Sequence, residues 1–582
     1  MTQAEMISGL PAYLRRYIRE QDPARYTAQD HAVWRYTLQQ LRRVLTEAAH
    51  PVYLQGLEGT GICLERVPSI DEMNACLKGY GWAAVVVDGF IPPAIFMEFQ
   101  ARRILPIALD MRGIDQILYT PAPDIVHEAA GHAPFIVDPE YAEYLQHFGE
   151  VGMKAISTKA DQAVYEAVRG LSIVKGLPAA SAQDIAAAQA RLDAALAGND
   201  NRSEAALLSR LHWWTVEYGL VGQVDDYRIY GAGLLSSLGE SVSCQDDAQV
   251  RKCPLTVEAI LSPYDITQPQ PQLFVARSCA HLKQVLQALA DRMAFRIGGA
   301  EGLRRAVDSG TVCTARYSSG LEVSGVLGRV LSDAAGNPVY LATSGPTQLA
   351  FESRELPGHG IATHPEGFGS PLGAVVGFPR CLSAYSPAEL AQAGIVTGQR
   401  LRLAFVSGVV VEGQLEQLLR QNDRNLLLSF EDCRVTGPQG DILFEPVWGR
   451  YDMAVGERIS SVWGGAADRS AYDCLQAPSP TPTPRPRESA SDRRLFRIYE
   501  NIRALREAGE ANEASLSALL QRLEEFPQAW LPRLNLWEMA DGGLAERLEQ
   551  QLHALADSLG PETRRLIQMG LQSRETAEAS CP

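Results

Sequence analysis

The sequence predicts a multidomain chain: a mainly α-helical region over residues 1–297, a β-rich region over 298–473 and a helical region over 494–582. Three observations predict it. Early in the chain, apolar residues recur at helical spacing, as in Trp34, Leu38, Leu41 and Leu45. From about Gly298 the pattern becomes glycine-punctuated, with short period-two runs. In Pro478–Pro486 proline alternates with polar residues, which marks 474–493 as an extended, semi-rigid linker. Beyond it Leu495, Ile498, Ile502 and Leu505 restore the helical period.

Composition sets the outer bounds. A length of 582 residues fits three or four domains, and an apolar fraction of 46% supports sizeable cores. A net charge of −16 and a pI of 5.2 argue against nucleic acid or anionic membrane as partners. The start shows no basic stretch leading into an apolar one, and no apolar run approaches the ~20 residues of a membrane span. Ten cysteines without a C-x-x-C pair fit free thiols in a reducing cytosol. The expected location is the cytoplasm.

Thr27-Ala-Gln-Asp30 reads as a capping box opening a helix, and Ser69 as the cap of another. Trp82–Val87 reads as a strand entering a Gly/Pro loop. Within an insertion at about 155–205, Ser181–Ala197 is an Ala-rich helix capped by Ser181 and Asp184. Its stripe of Ile185, Ala188, Leu192 and Leu196 fits a surface elaboration or a subunit contact. Gln272–Arg277 reads as a strand and Cys279–Ala294 as a helix. Ser319–Leu327 resembles Ser407–Leu415, as two copies of a small β-barrel or sandwich unit would. The stripe Leu516, Leu519 and Leu523 fits a helical hairpin or a dimerisation element, hence a homo-oligomer formed through the C-terminal helices.

The chemistry concentrates in Tyr119-Thr-Pro-Ala-Pro-Asp-Ile-Val-His-Glu-Ala-Ala-Gly-His132. It holds two of the chain's ten histidines, His127 and His132, with Glu128 after the first. In a regular helix residues five apart lie about 140° around the axis, so one ion reaches both only if the helix distorts or ends near Gly131. Spacing alone leaves a metal site and two ordinary histidines equally open. Leu211-His-Trp-Trp-Thr-Val-Glu217-Tyr-Gly-Leu220 then sets a carboxylate in an aromatic run. Burying Glu217 there requires a partner, either a metal or an arginine such as Arg210 or Arg228. Two histidines and a carboxylate leave up to three open positions on an octahedral ion, as in non-haem Fe(II) oxygenases. His359 and His364 share the spacing of the first pair, but sit in a Gly/Pro loop without a partnering carboxylate motif, where unliganded histidines are expected.

P-D-x-x-H-E-x-x-G-H, W-W-T-V-E-Y-G-L and Y-G-A-G-L-L-S-S-x-G-E, in that order, resemble the pterin-dependent aromatic amino acid hydroxylases from about Tyr26 to about Ala280. The resemblance implies a hydroxylase-like catalytic domain over 1–297 that hydroxylates an aromatic amino acid, phenylalanine by default, using Fe(II), a tetrahydropterin (tetrahydrobiopterin-like) and O₂. It assigns iron to His127, His132 and Glu217. It places the pterin against Val87, Gly89, Phe90, Ile91, Phe96 and Glu128. The amino acid falls to Arg112, Thr120, Pro123, Trp213, Gly233 and Ser236, with Arg112 holding its carboxylate. Leu105 stands where bacterial members carry a pocket aromatic, and His212 where the family usually has tyrosine. The other readings are the same chemistry on tryptophan or another aromatic, a zinc hydrolase with Glu128 as base, and a non-catalytic binding protein on this scaffold. The five-residue histidine spacing counts against the zinc hydrolase.

Overall fold

A computed structural model describes residues 3–87, 91–118, 123–176, 181–200, 202–265, 269–472 and 488–579. The helix Ala28–Ala48 starts on the capping box: the Thr27 hydroxyl accepts from Asp30 N, and the Asp30 carboxylate accepts from Thr27 N. Trp34, Leu38, Leu41 and Leu45 are all buried on its inner face. Ser69 does precede the helix Ile70–Leu77, but its side chain makes no capping bond. The Gln21 side-chain amide oxygen accepts from Ile70 N at 2.8 Å, satisfying one of the free donors at this helix start.

Two small sheets frame the N-terminal region. Ala83–Val87 pairs in parallel with Ile104–Ala108, and the helix Pro93–Ala101 crosses between them. Gly219–Gln223 pairs with Asp226–Ile229 on one side and Gln272–Ala276 on the other. That strand begins directly after the segment carrying Glu217. The insertion forms the helices Lys159–Gly176 and Ala182–Ala197, the second opened by the Ser181–Asp184 box.

The C-terminal helices do not form a separate core. One continuous apolar cluster runs from Tyr26 through Met293 and on to Ile567. The Tyr36 hydroxyl donates to the Leu566 carbonyl at 2.6 Å, and its ring meets the edge of Trp530 at 5.3 Å. Arg35 bridges Glu65 and Glu538, and Glu538 also takes Arg506. Leu516, Leu519 and Leu523 are buried within the chain. The stripe that read as a dimerisation element therefore packs internally, which removes the sequence basis for a homo-oligomer built on it.

Between these regions lie two antiparallel units. Val312–Tyr317, Leu321–Ser332 and Pro338–Phe351 form the first, and Arg400–Ala404, Val410–Gln421 and Arg424–Thr436 the second. Tyr451–Ala454 joins the second unit, and Ile459–Gly464 returns to pair with Val312–Tyr317 of the first. The return strand also touches the N-terminal region, since Gly464 N donates to Lys154 O. A Cβ at Gly464 would lie 2.4 Å from the Ala155 carbonyl, so only glycine lets these backbones meet. Arg469 completes the junction by pairing with buried Glu98 at 3.1 Å. No helix among the described residues is long and apolar enough to cross a membrane.

Trp530→Ala is expected to lower stability by about 3–5 kcal/mol by opening a cavity against Tyr36, measured as a shift of the urea unfolding midpoint.

Candidate metal centre

The stretch Val126–His132 is a π-helix. Its turns close on i→i+5 hydrogen bonds, so residues five apart return to one face and the offset of a regular helix disappears. The Nε2 atoms of His127 and His132 stand 3.2 Å apart, with the rings at 90°. The helix thus distorts and does not end at Gly131. That glycine serves close approach, because a Cβ there would lie 2.7 Å from the Ala232 carbonyl on the helix Ala232–Ser236.

A second π-helix, Trp213–Glu217, delivers the carboxylate. Glu217 Oε2 lies 3.2 Å from His127 Nε2, and Oε1 lies 3.3 Å from His132 Nε2. Neither candidate arginine takes it: Arg228 pairs with Asp226, and Arg210 donates to the Ile260 carbonyl. Glu128 also belongs to the cluster, within 4.8 Å of both histidines, but its closest approach to His132 Nε2 is 3.9 Å. Glu217, touching both rings, closes the tighter triangle.

Two second contacts orient His127. Its Nδ1 lies 3.0 Å from Ser236 Oγ, whose single proton goes to the Ala232 carbonyl at 2.7 Å. The serine oxygen must therefore accept, which places the ring proton on Nδ1 and leaves Nε2 a lone pair facing the cluster. Asp124 Oδ1 accepts from His127 N at 3.0 Å. A divalent cation would satisfy both imidazoles and the carboxylate together, whereas without one a single N–H on His132 is shared between two acceptors. The donor set fits the metal.

Electrostatics follow burial. Burial raises Glu217, but His132 and His127 outweigh it and hold the carboxylate well below its usual range. Burial pushes Glu128 up to about 8, and lowers His212 to about 4. His212 lies with Nδ1 3.6 Å from Glu217 Oε1, between the edges of Phe96 and Phe148.

The other expected residues divide. Phe96 is half-buried and meets His212 edge-on, while Val87 is buried at the end of its strand and Ile91 half-buried nearby in sequence. Gly89, Phe90 and Thr120 lie outside the described residues. Pro123 is exposed. Trp213 stacks between Tyr218 at 4.6 Å and Tyr264 at 4.3 Å. Gly233 presses on Tyr218, where a Cβ would lie 2.8 Å from the ring. Arg112 is buried and held by both oxygens of Asp124, with a third bond to the Ser236 carbonyl. Leu105 is buried in the core beside Ala84.

Sequence reasoning passed over Asp124, Tyr218 and Tyr264. Asp124 had a signal, because an acid three residues before His127 occupies a helix-capping position. Tyr264 had none, since its stacking on Trp213 depends on a turn some fifty residues downstream, while Tyr218 stacks from five residues away across the π-helix end.

Asp124→Asn should break the buried Arg112 pair and destabilise by about 3–5 kcal/mol, read as a lower thermal midpoint. Buried Glu240 accepts from the Tyr218 hydroxyl at 2.9 Å, and burial raises it from 4.5 to about 7. The stability its neutral form contributes is complete below pH 4.5 and lost as pH rises through 7. The stability of the wild type should therefore fall relative to Glu240→Gln as pH rises from about 5 to 8, by up to roughly 3 kcal/mol, read from urea unfolding at each pH.

The family described as biopterin-dependent aromatic amino acid hydroxylase matches residues 15–167 and 177–297. The phenylalanine-4-hydroxylase of Ralstonia nicotianae is 34% identical over 268 residues, covering 46% of this chain and 72% of the relative. That of Pseudomonas aeruginosa is 30% identical over 263 residues, covering 45% of this chain and 83% of the relative. The Chromobacterium violaceum phenylalanine hydroxylase with bound iron(III) and oxidised 7,8-dihydrobiopterin matches at 28% identity and a TM-score of 0.38, covering 50% of this chain and 90% of that one. Motifs, donor geometry and relatives agree, and the chain belongs to the biopterin-dependent aromatic amino acid hydroxylases.

Proposed function

We propose that the chain is an iron- and tetrahydropterin-dependent monooxygenase that hydroxylates the ring of an aromatic amino acid, phenylalanine to tyrosine. The observation that carries the reading is the convergence of His127 Nε2, His132 Nε2 and the Glu217 carboxylate at 3.2–3.3 Å. Phenylalanine is supported by the names of the relatives at 30–34% identity. In the reaction one oxygen atom of O₂ enters the ring and the other leaves as the hydroxyl of a hydroxypterin. Iron and pterin, when bound, supply the activation of O₂.

The chain's own residues bind and orient. Ser236 keeps His127 in the tautomer that ligates through Nε2. Glu128, buried beside the cluster, is assigned a hydrogen bond to the pterin ring. Phe96 offers a flat apolar face for the pterin, and Val87, Gly89, Phe90 and Ile91 are assigned to the same cofactor by the family resemblance. The Arg112 guanidinium keeps donors beyond its three internal bonds, and these are assigned to the substrate carboxylate. Thr120, Pro123, Trp213, Gly233 and Ser236 are assigned to the amino acid by the family resemblance. His212 stays neutral, so it adds no charge beside Glu217. We place the protein in the cytoplasm, with residues 1–297 as catalytic domain, 298–473 as a duplicated β-rich domain, 474–493 as linker and 494–582 as a helical region docked on the first.

The test is incubation of the iron-loaded protein with tetrahydropterin, O₂ and each aromatic amino acid, followed by mass. Tyrosine should form from phenylalanine and fall by roughly a thousandfold or more in His127→Ala. Pterin oxidation with product only from tryptophan or another aromatic would reassign the substrate. Absence of pterin consumption would overturn the enzyme reading.

A further inference from the structure

Among the described residues one other group of side chains could hold a metal ion, and it lies in the β-rich region beyond the hydroxylase match. His359 and His364 come from the loop after the strand Arg354–Glu355, and Asp452 from the strand Tyr451–Ala454 of the second unit. The carboxylate missing from the sequence reading is thus supplied from another sheet, which no local motif could announce. His359 Nδ1, His364 Nε2 and Asp452 Oδ2 form a nearly equilateral triangle with edges of 3.5, 3.6 and 3.7 Å.

The triangle is not explained by hydrogen bonding alone. An ordinary His–Asp hydrogen bond would draw one nitrogen to about 2.8–3.0 Å of the carboxylate, and all three edges exceed that. Asp452 Oδ1 instead accepts from the Ser429 hydroxyl and from Arg450 Nε at 3.2 Å. One oxygen is fixed by the protein, and the other is turned towards the two imidazoles. The backbone of both histidines is pinned as well. Leu349 N donates to His359 O at 2.9 Å, and Thr347 N to His364 O at 3.0 Å, so both histidines hang from one long strand. The side chains of His359, His364 and Asp452 are 5%, 10% and 4% exposed, so bulk water does not fill the space between them.

Edge length discriminates between ions. Three donors with this edge reach a central ion at ~2.2 Å in a tetrahedron but at ~2.5 Å in an octahedron, and only the first lies within tolerance of a zinc–nitrogen bond. The iron-binding candidates, with edges of 3.2–3.3 Å, are the more compact set. We infer that His359, His364 and Asp452 form a second, tetrahedral site for a zinc-class divalent ion, which clamps the 359–364 loop of the first β unit onto the second. Water completes the fourth vertex, the described residues adding no fourth His, Cys, Asp or Glu to the cluster. The site is independent of the proposed hydroxylase activity and stands or falls separately from it.

The test uses the full chain stripped of metal by a chelator and then titrated with Zn²⁺ or Co²⁺. To isolate the second site, His127→Ala is used to disable the first. The expected result is about one tightly held ion per chain, intense visible absorption of tetrahedral cobalt, and a thermal midpoint raised by zinc. His364→Ala, and separately the isosteric Asp452→Asn, should reduce the bound ion from about one per chain to near zero and abolish the zinc-dependent rise. In the wild-type His127 background the same two variants should keep their iron. No retained zinc or cobalt in His127→Ala would overturn the inference. So would binding that survives both variants, or a cobalt spectrum of octahedral type. Because the stoichiometry of His127→Ala is decisive by itself, misfolding of His364→Ala would not shield the proposal.

Discussion

Two imidazole nitrogens and a carboxylate held 3.2–3.3 Å apart inside a protein do not stay together on their own account. Lone pairs that face one another repel, and burial removes the water that would otherwise separate them. The surrounding architecture can be understood as what keeps them converged. Two π-helices set the faces, and glycine at 131 lets the helix Ala232–Ser236 lie directly against the first. That helix returns Ser236 Oγ to His127 and the Ser236 carbonyl to Arg112, which grips Asp124 at the head of the π-helix. The loop of contacts closes on itself, so each segment is positioned by the other two. A site built this way is preorganised before any ligand arrives, at the expense of the stability that relaxed side chains would have given.

How far the sequence reveals this depends on the distance over which each interaction acts. Capping boxes at Thr27 and Ser181 are local, and the structure forms both. The convergence of His127, His132 and Glu217 was readable because their flanking motifs are distinctive, but the way the histidines share a face was not. Regular helix geometry sets them apart, and only the widened π turn reconciles the spacing with the contact. Ser69 shows the opposite failure: the residue type is right, its side chain makes no capping bond, and a glutamine from another segment serves a neighbouring donor instead. Apolar stripes announce that a face is buried and are silent on what buries it, so Leu516, Leu519 and Leu523 were open to a second subunit until the fold covered them. Asp452 was out of reach for the same reason, its partners lying on another sheet.

The regions beyond residue 297 are fastened to the hydroxylase region at both ends of the sheet layer. Gly464 and Arg469 tie the returning strand to Lys154 and Glu98, beside the helix that carries Phe96. The C-terminal helices lock onto Ala28–Ala48 through Tyr36 and Arg35.

The joint between Tyr36 and Leu566 spans 530 residues of chain. At a synthesis rate of ~5–20 residues per second, the ribosome needs about half a minute to two minutes to produce the second partner after the first. Throughout that interval the outer side of Ala28–Ala48, with its aromatic ring, lacks the surface meant to cover it. The N-terminal core of this chain is therefore completed by residues made more than five hundred positions after it.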